Sequence, residues 1–363
     1  MTAEPDKKSG SERSRWRWLR IASIPVALLA ILTGASVFVG SCILAAPGYE
    51  GPVSGHFDGK QFYNQGNVKA KTFSDVLKWW RHRDRGPWRA YRVYPPGAPP
   101  PASVKPGQLR VTFINHATTL VQLDGVNILT DPIYSKRASP VSWAGPARVR
   151  PPGIRFGDLP KIHAVVISHN HYDHLDVPTL RRLYKRHRPV FFAGLGTRKL
   201  LRQKGIRGAV DLDWWHARSL AGGVRVIFVP AQHWSSRGLG DRNNTLWGGF
   251  VFRGARHKVF FAGDTGFGPH FEQIRARYGA MDLALLPIGA YKPRWFMKAM
   301  HMNPAEAVRA HQVLGARQSV AIHYGTFPLA DDGQDDPERD LVRARTDAGI
   351  GEDAFRALRF GTG

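Results

Sequence analysis

Four side chains that commonly bind metals occur within residues 169–174: His169, His171, Asp173 and His174. They directly follow the apolar, β-branched run 164–167, which predicts a short buried strand. Imidazole nitrogens and carboxylate oxygens are ligands of Zn²⁺ and similar divalent metals. A sharp turn after the strand can direct the first two histidines one way and Asp173 with His174 another. The pattern therefore predicts a site for two adjacent metals, and the alternative is a polar loop with surface histidines.

Three further residues of the same chemistry stand at the ends of other apolar runs. They are His233, Asp264 and His323. Each of them alone is compatible with an ordinary turn residue. The carboxyl ends of neighbouring strands meet at one edge of a sheet, however, so all of these side chains are expected to converge. Their order predicts three histidines at one metal, an aspartate with two histidines at the other, and one bridging carboxylate.

The remaining sequence predicts the strands and helices that position these residues. Strand-like runs occur first as meanders and later between helical segments. This order predicts an α/β (α+β) fold of two packed mixed sheets with helices outside, a four-layer αββα arrangement. The predicted strands cover residues 109–113, 119–123, 126–130, 164–167, 190–193, 224–229, 258–262, 283–286 and 319–322, and the predicted helices cover 177–186 and 197–203.

Composition sets limits on the class of protein. The chain has 363 residues, and its 52 Lys and Arg against 28 Asp and Glu give a formal net charge of +24. Such a charge predicts attraction to polyanions, of which nucleic acid and anionic lipid are the two candidates. Because Cys42 is the single cysteine, an intrachain disulfide framework and a cysteine-based zinc site are excluded.

The N-terminal region predicts a membrane tether. The mostly apolar, uncharged residues 21–46 exceed the ~20 residues that cross a hydrocarbon core. The basic tail before them predicts a transmembrane anchor with the tail in the cytoplasm and the rest of the chain on the non-cytoplasmic, periplasmic side. A cleaved lipoprotein signal is the alternative, because the residues around Cys42 resemble a bacterial lipobox. Either tether disfavours nucleic acid as a partner.

Changes in composition divide the chain into five predicted parts. They are a basic cytoplasmic tail (1–20), an anchor or lipoprotein signal (21–46), an aromatic and basic arm with a proline-rich connector (47–108), the main domain (109–335) and a peripheral C-terminal segment (336–363).

The arm combines aromatic and basic residues. Trp79, Trp80 and Trp88 alternate with lysines and arginines, and Thr72 predicts the N-cap of a short amphipathic helix. This composition is compatible with three interpretations: packing onto the main domain, contact with lipid headgroups, or stacking on nucleic acid.

The segments around the candidate ligands form specific motifs. In this order they resemble the metallo-β-lactamase superfamily, and within it the N-acyl-phosphatidylethanolamine-hydrolysing phospholipase D group. The resemblance covers residues 109–330 and leaves out the N-terminal tether and the loop at Ser142 and Trp143. The motifs that carry it are Leu129 to Ile133, Arg137 to Pro140, Ile167 to Asp176, Gln232 to Trp234, Leu246 to Gly248, Phe260 to Gly266, Pro287 to Met297, His301, and Ala321 to Thr326.

The resemblance implies two bound zinc ions, although His and Asp ligands alone would also admit iron or manganese. One zinc would bind His169, His171 and His233, and the other would bind Asp173, His174 and His323, with Asp264 as the bridge.

The resemblance also implies a membrane-tethered phosphodiesterase of phospholipase D type, which converts N-acyl-phosphatidylethanolamine to phosphatidic acid and an N-acylethanolamine. Two metals about 3.5–4 Å apart can hold a bridging hydroxide that attacks phosphorus. A membrane phospholipid and the membrane surface are the expected partners, and a homodimer is left open. The alternatives are a metal-dependent lactonase or β-lactamase-type hydrolase, a nuclease, and a lipid-binding protein without catalysis.

Further residues receive predicted roles. His301 stands just before Asn303, the predicted cap of a helix, and is the candidate that protonates the leaving oxygen or binds phosphate. The predicted catalytic residues are His301, Asp264 and Asp173. Asp131 and His116 are expected to orient a metal ligand, and His116 could alternatively cap a turn. The substrate is expected to contact Tyr172, Trp247 and Trp143, although Tyr172 and Trp247 could alternatively be buried aromatic residues of the core.

Overall fold

The computed structural model describes Gly40, residues 44–66, Val68 and residues 71–363. Most of the described residues form a large unit within 46–237 and 241–363, and a small unit contains Gly40, Leu44 and Ala45 with 238–240, of which Gly40 and Leu44 are helical. The predicted tail and almost all of the predicted anchor lie outside the described residues. Within the described part of the chain, no helix is both long and apolar enough to cross a membrane.

The first sheet contains six strands, which are neighbours in the order of the sequence. They are β1 Leu109–Asn115, β2 Thr118–Leu123, β3 Val126–Thr130, β4 Ala164–Ile167, β5 Val190–Gly194 and β6 Ala209–Leu212. β1, β2 and β3 are antiparallel, whereas β3 to β6 run parallel.

The second sheet contains seven strands in reverse order of the sequence, from the last to the first. They are β7 Ala217–Ser219, β8 Arg225–Val229, β9 Gly249–Arg253, β10 Lys258–Phe261, β11 Leu283–Pro287, β12 Gln318–Ile322 and β13 Phe355–Arg356. β7 to β10 are antiparallel and β10 to β13 are parallel, so β8, β10 and β12 all end at the same edge.

Helices cover the sheets. The described helices are α1 Phe73–Arg81, α2 Val177–His187, α3 Thr197–Gln203, α4 His270–Tyr278, α5 Arg294–Met297, α6 Pro304–Leu314 and α7 Asp336–Asp347. The predicted cap at Asn303 is confirmed: its side chain accepts the Glu306 N–H at 2.8 Å, and the Glu306 carboxylate accepts the Asn303 N–H at 3.1 Å. Capping of this kind satisfies amide groups that have no partner inside the helix.

Strand β4 shows how the pattern of side chains builds the packing. Successive side chains of a strand point to opposite faces. Ala164 and Val166 join the large hydrophobic core that also contains residues of the second sheet, whereas Val165 and Ile167 pack in a second core with leucines of α2 and α3. A strand that is buried on both faces has a continuous run of apolar residues in its sequence, and this run is the pattern that predicts β4. The two mixed sheets of the prediction are thus observed.

The prediction that the C-terminal segment, residues 336–363, is peripheral is wrong. β13 pairs with β12, and Phe355 is fully buried in the large core. Leu341 of α7 belongs to the same core. The prediction fails because a two-residue strand has no sequence signal of its own. Its Arg356 pairs with Val320, a neighbour 36 positions away. β6, β7 and β9 are likewise absent from the predicted strands.

We expect Phe355→Ala to lower the free energy of unfolding by about 3–5 kcal/mol, because it removes a fully buried aromatic ring. Val342→Ala in the same segment is the matched control, since Val342 is 53% exposed and its loss should cost less than about 0.5 kcal/mol. Urea denaturation measures both values. Equal values for the two variants would mean that the segment is peripheral after all.

Candidate metal centre

The candidate ligands follow the ends of four strands. His169 lies just after β4, His233 after β8, Asp264 after β10 and His323 directly after β12. The first sheet supplies the loop 169–174, and the second sheet supplies the other three residues. The structure brings all seven predicted ligands into one buried region, in overlapping groups whose ligand atoms lie within 4.8 Å of one another.

Three histidines form the first group. His169 Nε2 lies 2.8 Å from His171 Nδ1, and His233 Nε2 lies 3.3 Å from the same atom. Four ligands held tetrahedrally at 2.0–2.1 Å from a zinc ion have donor atoms about 3.3 Å apart. The spacing of the three nitrogens is therefore close to what one metal requires.

The second group contains carboxylates as well as histidines. Asp173 Oδ2 lies 3.2 Å from His174 Nε2 and 3.3 Å from His323 Nε2. Asp264 Oδ2 lies 3.3 Å from His174 Nε2, 3.0 Å from His323 Nε2 and 3.9 Å from His233 Nε2. Asp264 thus stands between the two groups, which is the position that a bridging carboxylate needs.

Hydrogen bonds leave ring nitrogens of three histidines available for a metal. His169 Nδ1 lies 2.9 Å from Ser168 Oγ, His174 Nδ1 lies 2.6 Å from Asp131 Oδ2, and His233 Nδ1 lies 3.0 Å from the Met300 carbonyl. When each Nδ1–H donates to its oxygen, the opposite Nε2 carries the lone pair that a metal binds. His174 Nε2 and Asp264 Oδ1 are buried and have no hydrogen-bond partner among the described residues. The donor set therefore fits a metal.

Protonation differs between the two groups. Burial lowers the pKa of His171 to about 4 and the pKa values of His169 and His233 well below that of free imidazole. These three rings are neutral at pH 7, as metal ligands must be. Burial also opposes a charge on His323, but the carboxylates of Asp264 and Asp173 raise its pKa to about 9.

His174 resembles His323 in this respect. Burial lowers its pKa, but Asp264, Asp173 and Asp131 outweigh burial and raise the pKa well above the usual value. Without a metal, the second group therefore contains two protonated imidazoles beside two ionised carboxylates. A divalent cation carries the same charge as the two protons that it would displace.

Asp131 stabilises the start of the loop 169–174, which we call the metal loop. Besides its contact with His174, its carboxylate accepts the Ser168 N–H at 2.7 Å and the Ser168 hydroxyl at 2.5 Å. Its backbone φ is +33°, and His116 and His323 have φ values of +48° and +62°. Positive φ values are uncommon outside glycine and are frequent at functional sites. The predicted role of Asp131, to orient a metal ligand, requires a contact with a histidine ring, and its contact with His174 is of this kind.

His116 contacts a carboxylate rather than a histidine ligand. Burial and the neighbouring His323 lower its pKa to about 3, so its neutral ring donates Nε2–H to Asp173 Oδ2 at 2.9 Å. The His323 N–H in turn donates to the His116 carbonyl at 2.8 Å. His116 therefore orients Asp173 through its side chain and His323 through its backbone.

His301 lies beside Asp264 and His233. Its Nδ1 lies 3.7 Å from Asp264 Oδ2, and its ring meets that of His233 edge to face at 5.1 Å. Arg294 donates to the His301 carbonyl at 2.9 Å and pairs with Glu306 at 2.7 Å, which ties the loop to the start of α6. Burial lowers the pKa of His301 to about 4, so the ring is neutral at pH 7.

Two supporting residues are absent from the sequence-based set. Asn64 of the arm donates to the His233 carbonyl at 2.8 Å and accepts the His233 N–H at 3.0 Å. Arg237 donates to the carbonyls of Asn170 at 2.7 Å and Leu175 at 3.0 Å, and so clamps the metal loop. Their partners lie far away in the sequence, and a lone polar residue in a loop carries no pattern that would reveal such contacts.

The three predicted substrate contacts have different surroundings. Tyr172 is half-buried; its hydroxyl donates to the Arg237 carbonyl at 2.8 Å and its ring lies under the Arg237 guanidinium. Trp247 is fully buried and donates to the Ala231 carbonyl at 3.1 Å, so the alternative of a core residue holds for it rather than the prediction that it lines the substrate path. Trp143 is 79% exposed beside a surface cleft, and its role stays a prediction.

A glycine permits the two sheets to approach at the site. Gly263 precedes Asp264 and has φ +61°, and a Cβ at this position would lie 2.5 Å from Ser168 Cβ. The Gly248 N–H donates to the Ser168 carbonyl at 3.0 Å in the same region. Only glycine allows the backbone after β10 to lie this close to the loop after β4.

The two-sheet fold and this group of histidines and aspartates define a class of protein. A family model described as a beta-lactamase superfamily domain matches residues 126–324, a range that contains all seven predicted ligands. The chain belongs to this superfamily, and the resemblance inferred from its motifs is confirmed.

Two curated proteins with sequences similar to this chain are N-acyl-phosphatidylethanolamine-hydrolyzing phospholipases D. The chain is 42% identical to N-acyl-phosphatidylethanolamine-hydrolyzing phospholipase D 1 of Caenorhabditis elegans, over 61% of this chain and 65% of that protein. It is 32% identical to N-acyl-phosphatidylethanolamine-hydrolyzing phospholipase D, mitochondrial, of Saccharomyces cerevisiae, over 60% of this chain and 48% of that protein. The chain therefore spans less than two thirds of the length of either relative.

Solved structures support the same fold. A possible metal-dependent hydrolase from Veillonella parvula superposes with a TM-score of 0.56 at 16% sequence identity, covering 69% of this chain and 97% of that one. At this identity the likeness concerns the arrangement of strands and helices.

We expect Asp131→Asn to weaken metal binding about 10- to 100-fold, because the neutral amide loses the charged contact with His174 Nδ1. Asp211→Asn is the matched control. Like Asp131, Asp211 has a largely buried carboxylate that accepts backbone N–H groups, in this case those of Gly196 and Arg198. Equilibrium dialysis with Zn²⁺ measures both affinities. Equal losses in the two variants would assign the effect of Asp131 to stability alone.

Metal binding should release protons at pH 7. His323 has a raised pKa of about 9 in the metal-free protein, so it carries a proton below that pH and must lose it to become a ligand. The release from this residue should fade as the pH rises through 9. Calorimetric titrations with Zn²⁺ in buffers of different ionisation enthalpy count the protons, and the absence of any release at pH 7 would contradict the proposed ligand role.

Proposed function

We propose that this chain is a metal-dependent phosphodiesterase of phospholipase D type. Its substrate would be an N-acyl-phosphatidylethanolamine or a similar membrane phospholipid, and its products phosphatidic acid and an N-acylethanolamine. The main support is the combination of two donor groups that meet at Asp264 Oδ2 with the 42% identity to a relative that carries this activity in its name.

The proposed metals are two zinc ions. His169, His171 and His233 would hold one of them, and Asp173, His174 and His323 the other, with Asp264 shared. Bound metals would supply a water nucleophile at neutral pH and neutralise the charge that develops on the phosphoryl oxygens. In the overall reaction, an oxygen–phosphorus bond forms from water, the bond from phosphorus to the ethanolamine oxygen breaks, and the leaving oxygen takes up a proton.

The carboxylates and histidines around the metals would maintain their geometry during this reaction. Asp131 would hold the His174 ring in one orientation, and His116 would do the same for the Asp173 carboxylate. These contacts are already formed in the described structure, so no energy is spent on reorganisation when the substrate arrives. Asp264 and Asp173 would act in catalysis as metal ligands.

We assign His301 the role of binding phosphate. Its pKa of about 4 leaves the ring neutral at pH 7, and a neutral imidazole is a hydrogen-bond donor but a weak acid. Its Nδ1 is buried and has no hydrogen-bond partner among the described residues, so it is available to a phosphoryl oxygen. Of the two roles predicted for His301, protonation of the leaving oxygen is therefore the less favoured.

The substrate class also requires access to a membrane. The predicted anchor at 21–46 would tether the chain, and the net charge of +24 would attract anionic lipid. We propose that catalysis takes place at the surface of this membrane, on its non-cytoplasmic, periplasmic side.

We expect the zinc-loaded chain to release phosphatidic acid from vesicles that contain N-acyl-phosphatidylethanolamine, and chelation to abolish the release. Asp264→Asn should lower the rate more than about 100-fold, since it alters the residue shared by both donor groups. Asp282→Asn, which changes an acidic residue at the start of β11, should leave the rate unchanged.

A lactone, a cephalosporin and a soluble phosphodiester dye complete the assay. Turnover of the lactone or the cephalosporin with intact phospholipid would replace the proposed substrate by a carbonyl compound. Metal binding without turnover of any of these substrates would instead favour a lipid-binding protein without catalysis.

A further inference from the structure

Helix α1 is a well-defined helix that buries none of its residues. Its start is closed by a capping box, in which the Thr72 hydroxyl accepts the Asp75 N–H at 3.3 Å and the Asp75 carboxylate accepts the Thr72 N–H at 2.9 Å. Such caps stabilise a short helix locally. The helix thus presents its side chains in fixed directions although it lies at the surface.

One face of α1 packs against the rest of the large unit. Trp79 stacks on Phe296 with 4.8 Å between the ring centroids, and its indole N–H donates to Asp331 at 2.7 Å. Arg83, just after the helix, pairs with the same carboxylate at 2.7 Å and lies over the Trp79 ring. These contacts set the rotation of the helix about its own axis.

The face of α1 opposite Trp79 is exposed and apolar. Phe73 is 81% exposed, Trp80 69%, Val76 42% and Leu77 41%. Their spacing of three, four and seven residues places all four side chains within one stripe along the helix. Single exposed apolar residues are ordinary, but a stripe of four on one helix indicates a contact surface.

Positive charge and a further tryptophan lie around the rest of α1. Arg81 is the neighbour of Leu77 on the helix surface, whereas Lys78 points about 150° away from the centre of the stripe. Lys78 and Lys71 have their ammonium groups 5.1 and 5.5 Å from the centroid of the Trp295 ring, which is itself 44% exposed. Arg81 is exposed at the end of the helix. The acidic residue of the helix, Asp75, is engaged in the cap. Apolar side chains with tryptophans and cations at their border are typical of helices that lie in the plane of a membrane surface.

A cleft lies between the segment just before α1 and a residue next to the candidate metal centre. It has a volume of about 670 Å³, and Lys71 and Trp295 form part of its wall together with the cations Lys298 and Arg309. Gln232, the neighbour of the candidate ligand His233, lines the same cleft. The cleft therefore extends from Lys71, just before α1, to Gln232, the neighbour of His233.

We propose that the stripe formed by Phe73, Val76, Leu77 and Trp80 docks onto the surface of an anionic phospholipid bilayer. Arg81 beside the stripe and the exposed cations Lys78 and Arg85 of the same segment favour anionic headgroups over a neutral protein partner. This inference rests on the proposed function only for the identity of the substrate, because docking itself needs no hydrolysis.

Site-specific labelling tests the docking in the zinc-loaded full chain. Cys42→Ser removes the single cysteine, and Phe73→Cys or Val93→Cys then accepts an environment-sensitive fluorophore. The two positions are matched because each side chain is 81% exposed. Vesicles of phosphatidylcholine with phosphatidylglycerol should shift the emission of the label at 73 to the blue, and nitroxide-labelled lipid should quench it, whereas the label at 93 should show neither effect.

Charge variants supply the second readout. The double variant Lys78→Gln with Arg81→Gln should have a ratio of docked to undocked protein on anionic vesicles that is about thirtyfold lower. Lys185→Gln with Arg186→Gln, at the end of α2, should not change it. Because the vesicles contain no N-acyl-phosphatidylethanolamine, docking should also persist in Asp264→Asn, so a failed substrate proposal would leave this result intact.

Two outcomes would overturn the proposal. In the first, the label at 73 remains in water while the chain is bound to vesicles. In the second, its emission is already blue-shifted without lipid and nitroxide lipid does not quench it, which would mean that a second copy of the chain or another part of this chain covers the stripe.

Discussion

Buried negative charge is the constraint on which the rest of the site depends. Asp131, Asp173 and Asp264 are all buried at the ends of strands, where an isolated carboxylate would be strongly destabilising. Each of them is surrounded by N–H groups or imidazoles, and the shared oxygens of Asp173 and Asp264 require positive charge from His174 and His323. Either two protons or one divalent cation can meet that requirement, so the same geometry serves folding and metal binding.

This charge balance can form only when both sheets are assembled. The loop after β4 belongs to the first sheet, whereas Asp264 and His323 follow strands of the second. The backbone of Gly263 lies close to the Ser168 side chain where the two sets meet, and Asp131 and His323 both have positive φ values. Local backbone strain of this kind persists where the surrounding structure enforces it.

The segments outside the two central sheets also contribute to the site. The arm supplies Asn64, which holds the backbone of His233, and Trp79, which stacks on Phe296 close to the His301 loop. Residues 294–301 therefore contact α1 through Trp79, line the cationic cleft and include His301 beside the metal centre. This continuity connects recognition of a lipid surface with the proposed chemistry.

The sequence by itself determined the ligand set and most of the strands that carry it, because apolar runs followed by His or Asp are local patterns. It also determined the cap at Asn303 and the membership of the superfamily. Only the tertiary structure decided that Asn64 supports His233, that Trp247 is buried in the core and that Phe355 completes a sheet. These features depend on partners far away in the chain, and a side chain's exposure is a property of everything packed around it.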